Sequence, residues 1–219
     1  MYLSRVEIDL YNRKTLRDLD HLGCYHGWIE DSFSDDRNKS KADRSRKLWR
    51  IDTIKDKSYL LILSEDKPDF NSLEKYGVKG TATCKSYDEF LDSIKEGMRA
   101  NFRIKLNTVK SIRDKDNPGK RGQLVPVPLD ELNDFFMART EKNGFTVRPD
   151  EFTITSRDEE VFVRHDEDKA KAANLKLVSA TYEGVLTITD LDKLKKALVS
   201  GIGKKKAYGF GFLTIIPIK

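Results

Sequence analysis

Three histidines are the side chains of this chain that could transfer a proton near neutral pH: His21, His26 and His165. Histidine is the one side chain whose ordinary pKa lies in that range, so acid–base catalysis without a metal would need at least one of them. His165 stands in an acidic stretch that is typical of an exposed turn. His21 and His26 fall in the first predicted helix, where packing or capping is the commoner role of an isolated histidine.

A second chemical feature is the segment 201–212, which we call the glycine–lysine segment. It contains Gly201, Gly203, Lys204, Lys205, Lys206, Tyr208, Gly209, Phe210 and Gly211. Glycine lets backbone N–H groups approach a polyanion closely, and lysine neutralises its charge. This pattern predicts a phosphate-binding surface. The alternative is a lysine-rich helix end with glycine stops.

The glycine–lysine segment does not match the common nucleotide-binding motifs. A dinucleotide fingerprint needs glycine where Lys206 stands, and a P-loop needs Gly-Lys-Ser/Thr at the start of a helix. Here the segment leads into an apolar strand, 213–218. The predicted ligand is therefore a nucleic-acid backbone, and no cofactor is predicted.

Positive charge is concentrated in the second half of the chain. The net charge is +5, and residues 1–90 contain equal numbers of basic and acidic residues. The most basic stretch, 99–121, contains Arg99, Arg103, Lys105, Lys110, Arg113, Lys115, Lys120 and Arg121 against Asp114 and Asp116. Such a stretch attracts phosphate, although a charge run alone is more often only a solvated surface.

Composition indicates a globular protein with no membrane partner. The 219 residues are 38% hydrophobic, and no apolar stretch approaches the ~20 residues of a membrane span. The N-terminus alternates like a strand and lacks a secretory signal, so a cytoplasmic location is expected. Cys24 and Cys84 are too few and too far apart for a Cys-rich zinc site, and no metal is predicted.

The order of predicted elements is β-α-β-β-α-β in the first half of the chain, and the second half has the same order with an inserted hairpin. The first half has strands at 2–10, 48–54, 59–64 and 80–85, with helices at 14–32 and 70–76. The second half has strands at 101–112, 151–155, 160–164, 175–188 and 213–218, with helices at 129–141 and 190–199. This pattern predicts an α+β fold of two tandem ferredoxin-like domains, 1–93 and 94–219.

Several segments, in order along the whole chain, resemble the CasE-type CRISPR repeat-processing endoribonucleases of the type I-E system. They are Met1–Ser4, Asp18–His26, Phe102–Asn107 with Lys110, Tyr182–Ile188, and Gly201–Gly203 through Gly209–Gly211. The resemblance implies cleavage of the repeat RNA at the base of its stem-loop without a metal. It also implies that the processed RNA is retained in a multisubunit surveillance complex, Cascade.

The resemblance places the catalytic histidine on His26, with His21 as the fallback. Some relatives carry a tyrosine three residues before that histidine, where this chain has Gly23. The second proton-transfer partner is therefore open, and a lysine, a water molecule or the RNA itself could serve.

The predicted function is a metal-independent endoribonuclease in which the RNA 2′-hydroxyl attacks the adjacent phosphate. The products would be a 2′,3′-cyclic phosphate and a 5′-hydroxyl. The predicted RNA contacts are Arg103, Lys105, Lys110, Arg113, Arg164, Lys204, Lys205 and Lys206, with Gly201, Gly203, Gly209 and Gly211. Two alternatives bind RNA without cutting it: an RNA-recognition protein, and a structural subunit that holds a processed RNA hairpin.

Overall fold

The computed structural model describes residues 1–37, 39–40, 43–112, 119, 122–164 and 173–218. They form two compact units, one of residues 1–94 and 195–212 and the other of residues 95–194 and 213–219. The glycine–lysine segment, which the sequence placed in the second domain, belongs to the first of these units. None of the helices in the described ranges is long and apolar enough to cross a membrane.

The first unit contains a four-stranded antiparallel sheet in the order β2-β3-β1-β4. Its strands are β1 (Tyr2–Glu7), β2 (Leu48–Ile54), β3 (Lys57–Ser64) and β4 (Thr83–Ser86). Its helices are α1 (Arg13–Asp18), α2 (Leu22–Asp31), α3 (Ser34–Arg37), α4 (Phe70–Leu73) and α5 (Asp88–Ser93). This strand order is that of a ferredoxin-like βαββαβ unit, as predicted.

Helix α2 covers one face of this sheet because its apolar residues point toward the strands. Trp28 and Ile29 are almost completely buried, in one cluster with Val6 of β1 and Leu60 of β3. The Trp28 indole N–H donates to the carbonyl oxygen of Ser72 at 3.1 Å, so the ring is buried with its polar atom satisfied. This packing fixes the face of α2 that remains toward solvent.

The prediction of one helix over 14–32 is wrong, because the chain breaks it into α1 and α2. Leu19 ends α1 with φ −113° and ψ 46°, outside the helical region. His21 has extended backbone and caps the start of α2. Gly23 then falls in the first turn of α2, where glycine costs less than in the middle of a helix.

The second unit contains an antiparallel sheet in the order β10-β5-β9-β8, again ferredoxin-like. Its sheet strands are β5 (Arg99–Asn107), β8 (Phe145–Arg164), β9 (Ala173–Ile188) and β10 (Thr214–Pro217), and the hairpin β6 (Val109–Ile112) and β7 (Gln123–Pro126) is separate. Helix α6 spans Leu132–Thr140, and α7 (Leu191–Ser200) begins in this unit and ends in the first. The two ferredoxin-like sheets confirm the predicted α+β fold class.

Two strand predictions in this unit are corrected. The predicted strand 101–112 divides into β5 and β6, which belong to different sheets. The predicted strands 151–155 and 160–164 are parts of one long strand, β8, whose pairing with β9 shifts between Val147 and Phe152. Pro149 lies within that shift and has no N–H to donate to the neighbouring strand.

Candidate active site and nucleic-acid interface

His26 lies in the middle of α2, on the face that packing leaves accessible. Its side chain is 40% exposed. Its Nδ1 atom lies 3.9 Å from Glu30 Oε1, one helical turn further along α2. A carboxylate at this distance would stabilise the positive charge that forms on an imidazole when it accepts a proton.

Glu30 is itself held by a cation in the interior. Lys47 Nζ donates to Glu30 Oε2 at 3.3 Å and also to Asp36 Oδ2. Burial alone would raise the pKa of Asp36, but hydrogen bonds from Lys47 and the Ser45 backbone N–H hold it well below its ordinary value. The Glu30 carboxylate therefore has one oxygen toward a buried lysine and the other toward His26.

His21 serves a different purpose at the start of α2. Its Nδ1 atom accepts a hydrogen bond from the Gly23 backbone N–H at 3.0 Å, which satisfies one of the unpaired donors of the helix end. The side chain is also 29% exposed, less than that of His26. The structure thus gives the fallback histidine a capping role.

Asp20, His21 and Cys24 form the one cluster in the described ranges whose ligand atoms could surround a metal, all within 4.8 Å. A neutral His21 that accepts a hydrogen bond at Nδ1 carries its proton on Nε2. Nε2 is then a donor and cannot also bind a metal. Burial and the neighbouring Asp20 carboxylate raise the pKa of the Cys24 thiol, which disfavours the thiolate that a metal would need.

The glycine–lysine segment packs on strand β2 of the first unit. The Trp49 indole N–H donates to the Ala207 carbonyl oxygen at 3.1 Å. Gly209 has φ +79°, and a Cβ there would come within 2.9 Å of the Trp49 ring. Gly211 has φ +82°, and its Cβ would meet the Ile202 carbonyl at 2.1 Å. These two glycines are required by backbone conformation and close packing, a reason separate from any phosphate.

The other two glycines of the segment also have left-handed backbone, Gly201 at φ +70° and Gly203 at φ +85°. Gly201 packs against β2, since a Cβ there would lie 2.8 Å from the Leu48 side chain. Gly203 is exposed, and it is the glycine of the four that a polyanion could approach most directly.

The three lysines of the segment are in three different situations. Lys204 is exposed. Lys205 has left-handed backbone, and its Nζ atom lies 5.7 Å from the centre of the Tyr208 ring. Lys206 donates to the Ser200 carbonyl oxygen at 2.6 Å, at the end of α7. Burial, with the nearby Arg46 guanidinium, lowers the pKa of Lys206.

The same segment brings Tyr208 beside His26. The centres of the two rings are 6.5 Å apart, with an angle of 53° between the ring planes. Tyr25, which precedes His26, stacks on Trp49 with the ring centres 6.0 Å apart. One tryptophan therefore contacts both the helix that carries His26 and the turn that carries Tyr208.

The predicted RNA contacts of the second unit start with Arg103 and Lys105 on β5. Arg103 Nε is 3.5 Å from Glu183 Oε1, and Lys105 Nζ is 2.9 Å from Asp158 Oδ2. Neither side chain is more than 40% exposed. A phosphate that binds these cations must compete with carboxylates of the same unit.

The other predicted RNA contacts of the second unit are Lys110, Arg113 and Arg164. Lys110 pairs with Glu131 at the β6–β7 hairpin. Arg164 is the last residue of β8, where its backbone pairs with Ala173. Arg113 and His165 lie outside the described residues.

Sequence reasoning missed Tyr208, Trp49 and Glu30 as members of the His26 surroundings. Glu30 could have been found from its position four residues after His26 on one helix. Trp49 and Tyr208 carry no comparable signal, since they come close to His26 only through tertiary packing.

The chain is similar in sequence to proteins of a known family. A family model described as CRISPR associated protein matches residues 1–217. The CRISPR-associated endoribonuclease Cse3 of Thermus thermophilus is 26% identical over 223 residues, which cover 99% of this chain and 100% of that protein.

Two solved structures have the same fold. One is the CRISPR endoribonuclease Cse3 bound to a 19-nucleotide RNA, with a TM-score of 0.79, 22% identity, and coverage of 99% of this chain and 100% of that one. The other is a chain of a CRISPR RNA-guided surveillance complex, with a TM-score of 0.63, 20% identity and full coverage of both chains.

Proposed function

This chain belongs to the CRISPR-associated protein family, and we propose that it is an endoribonuclease that cleaves CRISPR precursor RNA at the base of the repeat stem-loop. It would then retain the processed guide RNA as a subunit of a type I-E surveillance complex. The relatives support this proposal, since one is named an endoribonuclease and another was solved within an RNA-guided complex. The single observation that carries it is His26, exposed on α2 between Glu30 and Tyr208.

The proposed reaction uses a nucleophile that the RNA supplies. The 2′-hydroxyl attacks the adjacent phosphate, so the enzyme has only to hold the strand in line, move protons and stabilise the charged phosphorane. His26 moves a proton, and the ammonium groups of Lys204 and Lys205 stabilise the added negative charge. The products are a 2′,3′-cyclic phosphate and a 5′-hydroxyl, and no step requires a metal.

RNA binding is proposed to use phosphate contacts on both units. Such contacts position an A-form stem, while unpaired nucleotides at its base are read individually. The proposed contacts are Arg103, Lys105, Lys110, Arg113 and Arg164 in the second unit, and Gly203, Lys204 and Lys205 in the first. Lys206, Gly201, Gly209 and Gly211 instead hold the glycine–lysine segment in shape.

The proposal is tested by incubating the purified protein with its native repeat RNA in EDTA and identifying the end groups of the products. We expect one cut at the base of the stem, a cyclic phosphate, and the same rate when magnesium replaces EDTA. RNA that is bound but intact in both buffers would instead indicate a structural subunit that holds a processed hairpin.

A further inference from the structure

Tyr208 lies beside His26, and the reaction proposed above gives it no role. We propose that its hydroxyl is the second proton-transfer group, which protonates the departing 5′ oxygen while His26 accepts the proton of the 2′-hydroxyl. This inference rests on the proposed function, since it names a second residue of the same site.

The distance between the two rings would let His26 and Tyr208 approach one phosphate from opposite sides. In an in-line displacement the attacking and leaving oxygens lie on opposite sides of phosphorus, so the base and the acid must approach from two directions. The ring centres of His26 and Tyr208 are 6.5 Å apart and the rings are not stacked, with planes inclined by 53°. The two side chains come from different elements, α2 and the turn Lys206–Tyr208.

The fold fixes Tyr208 in this place through the turn that carries it. The turn ends at Gly209, whose left-handed backbone and lack of a Cβ let the chain pass against Trp49. The Trp49 indole donates to Ala207, the residue before Tyr208, and its ring stacks on Tyr25, the residue before His26. A single side chain thus contacts the neighbours of both proposed groups.

The other ionisable side chains described around His26 and Tyr208 suit the acid role less well. Glu30 is engaged with Lys47, and its negative charge would repel a phosphate. Lys206 donates to the end of α7. The ammonium of Lys205 is 5.7 Å from the Tyr208 ring centre, where it can offset the charge of a phenolate after proton loss.

The direction of proton transfer follows from the chemistry of the two side chains. An ordinary tyrosine keeps its proton at neutral pH, so it can donate but not accept. A neutral histidine can accept. The bond from the 2′ oxygen to phosphorus forms and the bond from phosphorus to the 5′ oxygen breaks. The 2′ proton passes to His26, the Tyr208 proton passes to the 5′ oxygen, and solvent restores both groups.

The test compares Tyr208→Phe with the unaltered protein on two RNAs. The first is the native repeat RNA, and the second carries a 5′-bridging sulfur at the scissile phosphate, because a thiolate leaves without needing a proton. We expect Tyr208→Phe to cleave the first RNA about 10²-fold more slowly, as for loss of a general acid. On the second RNA it should match the unaltered protein within about twofold. His26→Ala should remain slow on both.

Two results would overturn the inference. In the first, Tyr208→Phe cleaves the native RNA at the unaltered rate. In the second, it is equally slow on both RNAs, which would mean that the hydroxyl positions the substrate. Tyr11→Phe is the matched control, because Tyr11 is 99% exposed in the same unit. If the unaltered protein cuts neither RNA, the proposed function fails rather than this assignment.

Discussion

A histidine at the N-cap of α2 and a histidine in the middle of the same helix have different surroundings. His21 accepts a backbone hydrogen bond and completes the start of the helix. His26, five residues later, is exposed beside Glu30 and Tyr208. Sequence position alone therefore does not separate a capping histidine from an exposed one, whereas the surroundings of each side chain do.

The lysines of the glycine–lysine segment likewise differ in their surroundings. Lys206 is partly buried and donates to the end of α7, so its charge is used within the fold. Lys204 is exposed, two residues earlier. Counting lysines in the sequence therefore overstates the charge that this segment offers to RNA.

Replacing His26 should have the largest effect on activity. We expect His26→Ala to reduce cleavage by roughly 10²–10⁴-fold, the usual effect of losing an acid–base group, with RNA affinity nearly unchanged. Single-turnover cleavage and filter binding on the same RNA measure the two quantities. An unaltered rate in His26→Ala, together with loss in His21→Ala, would move the catalytic role to His21.

The lysines should differ from each other in how they affect binding. The double variant Lys204→Ala, Lys205→Ala should weaken stem-loop binding and reduce the slope of log K against log salt, by about 0.9 for each duplex phosphate that is no longer neutralised. Lys206→Ala should instead lower the melting temperature, because it removes a hydrogen bond at the end of α7. If the double variant kept the unaltered salt slope and affinity, the segment would be no more than a lysine-rich helix end.

His21→Ala should affect stability more than activity. Loss of a helix N-cap costs about 1 kcal/mol, so we expect a lower midpoint in urea and a cleavage rate within a few fold of the unaltered protein. His21→Asn is the matched control, because asparagine is a good N-cap and should restore the midpoint. An unchanged urea midpoint in His21→Ala would contradict the capping role of the His21 side chain.

The ion pair between Lys47 and Asp36 predicts a smaller, pH-dependent effect on stability. The pKa of Asp36 is lower in the folded protein than in the unfolded chain, so this group adds stability at neutral pH. That contribution should be lost as the pH falls through the ordinary carboxyl range, about 3.9, toward the folded pKa. Urea midpoints between pH 3 and 7 should fall more steeply for the unaltered protein than for Asp36→Asn.

Much of the fold follows from local patterns in the sequence. The alternation in β1 and the apolar runs of β2 and β3 predict the strands, and their order predicts the ferredoxin-like sheet. The break between α1 and α2 was missed because His21 is not among the common capping residues. The continuity of β8 was missed because residues 156–159, between the two predicted strands, are all polar.

Only part of the candidate site could be predicted from the sequence. The resemblance marked His26, and the residue types marked the lysines. Tyr208 is far from His26 in sequence, and the two meet because Trp49 packs between their elements. No local rule encodes that contact, since it depends on a tertiary arrangement in which residues 195–212 return to the first unit.

The most direct test of the central claim is a repeat RNA with a single deoxynucleotide immediately before the scissile phosphate. If the substrate's own 2′-hydroxyl is the nucleophile, this RNA should bind with unaltered affinity and resist cleavage completely, in EDTA and in magnesium alike. The all-ribose RNA should be cut in both buffers to a 2′,3′-cyclic phosphate. Cleavage of the deoxy-substituted RNA, or a 3′-hydroxyl product that forms only with magnesium, would contradict the account.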